Sequence, residues 1–504
     1  MPGGAAKVTL DTSSTVGAWI NAALASCPTS GCMIEVPPAN GAMYLNEPIV
    51  VTKPNVHLTC DTKDPLQITY GTTSMGPNGY YFNPIDVAAD NFELNGCHID
   101  VTAMGPIMGV AVNFFGATNG TVHDNQITSS MPAAVYTPRG ALGIRVEGSA
   151  AHPSRWIDIY DNDITVPFIG LSTGNYSYYV DFHDNRVVNS NECFDLNGSG
   201  ASPNLSASIN FTGNQCVNDV YSSYIESAYA VNIENNFFWY NGIARKGRDA
   251  QAMLRIHAIT RYNLQNTIIS GNQFYGNASG GYGIAIFNGS NNVEVTGNQF
   301  FNIGLDAILI SGSQGGVVTG LVQGNYIQRT GINTAYSPGA TYCGIHIQSA
   351  GARANVWNVS ILDNVIQFSA KGICHTDTSA KPAAPMGLKI LGNDIVAPAN
   401  APYGNQVSLS LPYGCSGCSI GPNHMDNSGA NRFSGVVSAD SLQTTSTTVG
   451  ALPACSAASL LQRRGVTDAR VATRGSPVVG GGTYTIAVEC VYNGAGRTYS
   501  WIID

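Results

Sequence analysis

Charge is scarce in this chain: of 504 residues only 11% are Asp, Glu, Lys or Arg, and the formal balance is −9. Recognition of nucleic acid needs a basic stripe against the phosphates, so no nucleic-acid partner is expected. Long apolar runs are absent as well. No stretch reaches the roughly eighteen apolar residues that a membrane span requires. Met1-Pro2-Gly3-Gly4 is followed by no apolar core of the kind a secretory leader carries, so the chain reads as a mature region behind an added Met. Through most of its length no segment keeps a helical hydrophobic period for a dozen residues, which leaves strands as the building material.

What the chain does have is a returning phrase: an Asn, one further residue, then an apolar one. It occurs as HDNQI at Asn125, YDNDI at Asn162, HDNRV at Asn185, GNQC at Asn214 and ENNFF at Asn236. It continues as GNQF at Asn272 and Asn298, GNYI at Asn325, DNVI at Asn364 and GNDI at Asn393. The steps between these residues are 37, 23, 29, 22, 36, 26, 27, 39 and 29. A period near thirty that tolerates insertions marks a solenoid whose coils carry loops of variable length. Within a repeat such as 283–300, Ile284 and Ile286 alternate with other residues. A Gly/Ser/Asn turn follows, and then Val293 and Val295 alternate again, a strand–turn–strand rhythm. The repeated Asn is read as structural: it tolerates left-handed turns, and its amide can bond the next coil.

Twelve cysteines, an even number, point to an oxidising compartment and a secreted, extracellular or periplasmic location. Cys27 with Cys32 and Cys455 with Cys490 are the local pairs expected; the other connectivity stays open. Cys216 stands where other repeats place Phe or Ile, so it faces the core. Cys415-Ser-Gly-Cys418 with His424 is read as a disulfide or buried thiols rather than a metal site, because no second pair completes four ligands. Residues 14–26 carry Val16, Trp19, Ile20, Ala23 and Leu24 at helical spacing after a Ser/Thr start. The expected organisation is an N-terminal cap (1–55, helix plus first strands), a solenoid (56–400), a Pro/Gly/Ser/Thr-rich transition (401–450) and a small antiparallel β module (451–504).

These repeats resemble those of right-handed parallel β-helix proteins, the pectate-lyase-like superfamily, over roughly residues 5–400. The resemblance implies an all-β fold with a capping helix over the first coil and a polysaccharide as partner. Its members are mostly polysaccharide lyases, glycoside hydrolases and uronate epimerases, with phage tailspikes as cousins. The tail at 451–504 is similar to modules of other secreted and phage-like proteins. That implies capping, attachment or homo-oligomerisation. Motifs for individual reactions depart from the family's. SRWIDIYDN at 154–162 resembles the Trp-Ile-Asp-His run of pectate lyases with Ile159 in place of His, and is read as an ordinary coil strand. Residues 253–274 look like the Leu-Arg-His region of alginate lyases and chondroitinase B, yet Glu226 stands where that family has its catalytic Lys. The paired aspartates and Gly-His-Gly of polygalacturonases and the Asp-Pro-His-Glu of alginate epimerases are absent.

Strand alternation locates the chemistry, since residues flanking a buried Ile, Val or Leu point outward. Successive coils would display Arg145 and Glu147, Gly170 and Ser172, Asp195 and Asn197, Tyr224 and Glu226, then Arg255 and His257. Ala285 and Phe287, Leu309 and Ser311, and His346 and Gln348 follow. In so sparsely charged a chain, four ionisable groups on three adjacent coils are read as a catalytic cluster of Asp195, Glu226, His257, Arg255 and Tyr224. Arg145, Glu147, Asn197, Phe287 and His346 are assigned to substrate binding. With ~4.8 Å between strands and ~6.8 Å along them, the Asp195 and Glu226 carboxylates would stand roughly 8 Å apart. That suits an acid and a water-activating base in glycoside hydrolysis. β-Elimination from a uronate is the second reading, with Arg255 against the carboxylate, Tyr224 or His257 moving protons, and Asn197 with Glu226 holding a calcium ion. For hydrolysis no cofactor is needed. A non-catalytic glycan-binding adhesin or tailspike-like shaft is the third.

Overall fold

In the computed structural model the chain winds into three parallel sheets of 14 strands each, every strand pairing with its counterpart one coil on. We call them sheets A, B and C, beginning at Cys32–Val36, Met43–Leu45 and Ile49–Val51. Placement is described for residues 16–503 except 39–42, 62–64, 69–82, 105–108, 132–139, 199–205, 221, 241–251, 258–264, 279, 288–290, 313–317, 333–341, 351–355, 370, 380–384, 398–406, 413–414, 416, 422, 428–432, 436–448, 453, 456–462, 471–476 and 494–497. Residues 1–4, read above as the start of a mature region, lie outside the described residues. This is a right-handed parallel β-helix, the hand that parallel crossovers take. One core cluster runs from Val16 to Ile420 through every coil. A single coil has no second layer to cover its apolar face, so stacking is what buries it. Phe238, Phe274 and Phe300 show the repeat directly, their rings stacked at 4.7 and 4.8 Å, close to the strand spacing.

The Asn phrase is the turn between sheets A and B. Each Asn is buried; its Nδ2 donates to a strand carbonyl of the preceding coil, and its Oδ1 accepts a backbone N–H at the same turn one coil earlier, that of Cys97 for Asn125 and that of the preceding Asn for the others. Asn236 shows the pattern: it donates to Phe211 O at 2.8 Å and accepts from Asn214 N at 2.8 Å. The ladder has one more rung than the ten read from sequence, at Asn423. The left-handed conformation assigned to these Asn residues belongs instead to the residue before each. Asp124, Asp161, Asp184, Gly213, Asn235 and Gly271 have φ from 52 to 67°. That explains why the phrase is always preceded by Asp, Gly or Asn, the types that adopt αL most easily.

The helix Val16–Ser26 covers the first coil, burying Val16, Ile20, Ala23 and Leu24. Asn21 ties it to Glu47 and Pro48, and the Lys53 ammonium donates to the helix-end carbonyls of Ala25 and Cys27. The Cys27–Cys32 disulfide follows it as expected, and Cys415–Cys418 is likewise a disulfide. Cys216 is buried and bonds Cys193; Cys60–Cys97 and Cys343–Cys374 complete five described bridges. Cys455 is disulfide-bonded, while the side chain of Cys490 lies outside the described residues. The sheets extend beyond 56–400 at both ends. Cys32–Val51 already forms a coil, and Val407–Leu411, Ser419–Ile420, His424–Asn427 and Phe433–Gly435 add the last strands. These strands hide among Pro, Gly and Ser residues, which mask alternation over so few positions. The tail is a separate three-stranded antiparallel sheet, Arg463–Ala469, Tyr484–Asn493 and Thr498–Ile503, closed over Val466, Ala469, Val488 and Trp501.

Candidate active site on the outer face of sheet C

Sheet C carries the residues singled out above, and the register puts them side by side. Leu196, Ile225 and Ile256 form one fully buried row. Their outward neighbours therefore fall into two columns. The first runs Asp86, Asn113, Arg145, Ser172, Asp195, Tyr224, Arg255, Ala285. In the second, Asn197 pairs with Glu226, and Glu226 with His257. Asp195 and Glu226 are thus one coil apart and two positions out of line.

The floor is recessed, not a flat solvated surface. Asn113, Ser172, Glu147 and Tyr224 are buried, and Asp195, Glu226, Arg255 and His257 are half-buried. Arg145 folds back on Glu147, with Nε and Nη2 each 3.1 Å from Oε2. The pair fits because Gly174 lies beneath it: a Cβ there would come within 2.7 Å of both Arg145 Nη2 and Glu147 Oε2. Glu147 is therefore a buried ion-pair partner of Arg145 and not a free lining group.

The two central carboxylates sit in opposite surroundings. Glu226 has both oxygens engaged, Oε1 2.9 Å from His257 Nε2 and Oε2 accepting from Asn197 Nδ2 at 3.2 Å. Asp195 has its Oδ1 sealed from solvent with no hydrogen-bond partner. Burial first, and then the nearby Glu226 charge, push the Asp195 carboxyl up to about 7, against the smaller opposing pull of Arg145 and an Asn197 hydrogen bond. Arg255 lies 5.8 Å over the Tyr224 ring and 4.8 Å over the Phe287 ring, and Tyr224 meets His257 edge-on at 5.6 Å. Phe287 was expected to offer its ring to sugar; the Arg255 guanidinium covers one face of it instead.

His346 stands apart from this cluster. It falls in the first column three coils past Arg255, buried, with Nδ1 2.8 Å from Asp306 Oδ2 and Nε2 2.7 Å from Thr376 Oγ1. Its assignment to substrate binding is corrected on this point: both ring nitrogens are already engaged inside the protein. Asp306 lies forty positions earlier in the chain, and no local pattern joins it to His346. Asp219 also escaped notice. Burial raises its carboxyl well above the ordinary value of 3.8, and it lines a small pocket with Ser223, Trp239 and Met253. Among the described residues, Cys193, Cys216 and Asp219 are the only group close enough to hold a metal. The two sulfurs are joined in a disulfide and present no thiolate.

No family model matches the chain, and no curated protein does. Solved structures do. The pre-mature gene product 12 of bacteriophage phi29 superposes with a TM-score of 0.50 at 12% identity, covering 80% of this chain and 53% of its own. This chain therefore spans about half the length of that protein. The Agl-KA catalytic domain matches at TM-score 0.44 and 11% identity, covering 87% of this chain and 69% of that one. The Dettilon tailspike protein matches at 0.40 and 15%, covering 98% and 77%. At such identities the likeness speaks to the fold alone, and there the resemblance carried by the repeats holds.

Proposed function

We propose that the protein hydrolyses glycosidic bonds of a polysaccharide laid along the recessed outer face of sheet C, outside the reducing cytosol. One observation carries this: two carboxylates one coil apart, one held near neutrality and the other with both oxygens engaged. Asp195, ionising at about 7, keeps a proton to give to the leaving glycosidic oxygen. Glu226, oriented by His257 and Asn197, takes a proton from water as the water oxygen attacks the anomeric carbon. The bond to the leaving oxygen breaks, two sugar ends result, and solvent returns the proton from Glu226 to Asp195. The separation of roughly 8 Å given by strand spacing leaves room for that water, as inversion requires. Arg145, held in place by its ion pair with Glu147, and Arg255 and Tyr224 flank the pair and hold the sugar. Five described disulfides support an oxidising location.

The test is incubation with a panel of polysaccharides, reading both reducing ends and the ultraviolet absorbance of unsaturated sugars. New reducing ends without that absorbance, lost in Glu226→Gln by 10²-fold or more while folding persists, is the expected result. Both signals together mean β-elimination, and neither means a glycan-binding shaft.

A further inference from the structure

A second column, on the outer face of sheet A, departs from its own rule. At one position in each of nine coils the backbone is left-handed: Asn55, Asn91, Asn119, Trp156, Tyr179, Ser208, Ala230, Asn266 and Asn292 all have φ between 52 and 60°. Flanking strand pairs place those from Asn119 to Asn292 on consecutive coils. Asn is the usual occupant because its short side chain tolerates this conformation. The amides also bond along the column, Asn91 to Asn55 at 2.8 Å and Asn119 to Asn91 at 3.2 Å. Trp156 and Tyr179 interrupt it. A bulky ring in this backbone conformation is an outlier that costs stability. Burial does not compensate here, since the two residues are 52% and 51% exposed.

Their rings lie nearly parallel, 11° apart with centroids at 5.8 Å. The next two coils carry only Ser208 and Ala230, so the face of Tyr179 turned away from Trp156 looks over side chains too short to reach a ring's height. Arg155, exposed beside Trp156, lies over the Tyr178 ring at 5.6 Å. We propose that Trp156 and Tyr179 form a glycan-stacking platform, with a pyranose ring of a polysaccharide lying on Tyr179 above Ser208 and Ala230. A pyranose presents a face of C–H bonds that packs on an aromatic face while its hydroxyls stay outward. Arg155 supplies a donor for a hydroxyl or carboxylate oxygen at the edge. The platform follows directly after the sheet C strands bearing Arg145 and Ser172, two coils and one coil before that of Asp195. It stands on its own geometry and does not depend on catalysis at Glu226.

The experiment uses the full chain carrying Glu226→Gln, so that ligand is not consumed, and compares it with the same chain carrying Trp156→Asn and Tyr179→Asn. Retention is measured on immobilised polygalacturonate, alginate, xylan and β-glucan, with Tm recorded for each variant. The expected result is retention of the parent on at least one support and a tenfold or greater loss in the double variant. Tm should be unchanged or higher, because Asn suits the left-handed backbone. Tyr179→Phe, which keeps the ring, should retain binding. Absence of parent retention on all four supports, equal retention in the double variant, or a fall in Tm accompanying the loss overturns the proposal. Turnover surviving in Glu226→Gln would count against the hydrolytic reading and leave this retention assay intact.

Discussion

Replacing Asp195 by Asn should make the protein more stable above neutral pH while removing its activity. The climb of this carboxyl from 3.8 to about 7 corresponds, at about 1.4 kcal/mol per pH unit, to about 4 kcal/mol. Below pH 4 the group is protonated in both the folded and unfolded chain, and its burial costs little. Between pH 4 and 7 the unfolded chain has released a proton that the folded chain retains, so stability falls as pH rises. Above 7 the full deficit is present. The neutral Asn carries no such penalty. Its advantage over the parent should be near zero at pH 4 and approach about 4 kcal/mol at pH 8. For a chain of this length that is about 4 °C in Tm if the solenoid melts as one unit. Thermal melts of both proteins at half-unit steps from pH 4 to 8 measure it. A Tm difference independent of pH, or a parent that is the more stable protein at pH 8, refutes the assigned environment of Asp195. The same ionisation should give hydrolysis an alkaline limb near pH 7, as the acid loses its proton.

Arg145→Met removes a cation that holds the Asp195 carboxyl down, so the alkaline limb of activity should move to higher pH; a limb that stays or moves lower contradicts the proximity of the two groups. Asn236→Ala strips a ladder rung that bonds Phe211 O, Asn214 N and Asn272 Oδ1. With the buried partners left unpaired it should cost on the order of 3–5 kcal/mol. Hydrogen exchange should show the opening centred on residues 211–215.

The repeat, its handedness by family resemblance and the register of sheet C were legible in the chain. Strand alternation has a strict period of two, and in rows such as Leu196, Ile225 and Ile256 a one-residue slip would turn the core outward. That is why the meeting of Asp195, Asn197, Tyr224, Glu226, Arg255 and His257 could be read without coordinates. How deep those side chains lie could not, because recession depends on what flanks the face. The loss of solvent around Asp195, and so its proton affinity, belongs to the assembled face of sheet C. The pairing of His346 with Asp306 and Thr376 was equally hidden, since it joins residues 40 and 30 positions apart across coils whose loops vary in length. The same holds for Cys60–Cys97, Cys193–Cys216 and Cys343–Cys374, whose partners meet only once winding brings one coil over another. Alternation says which way a residue points; what waits for it there is settled by the neighbouring coils.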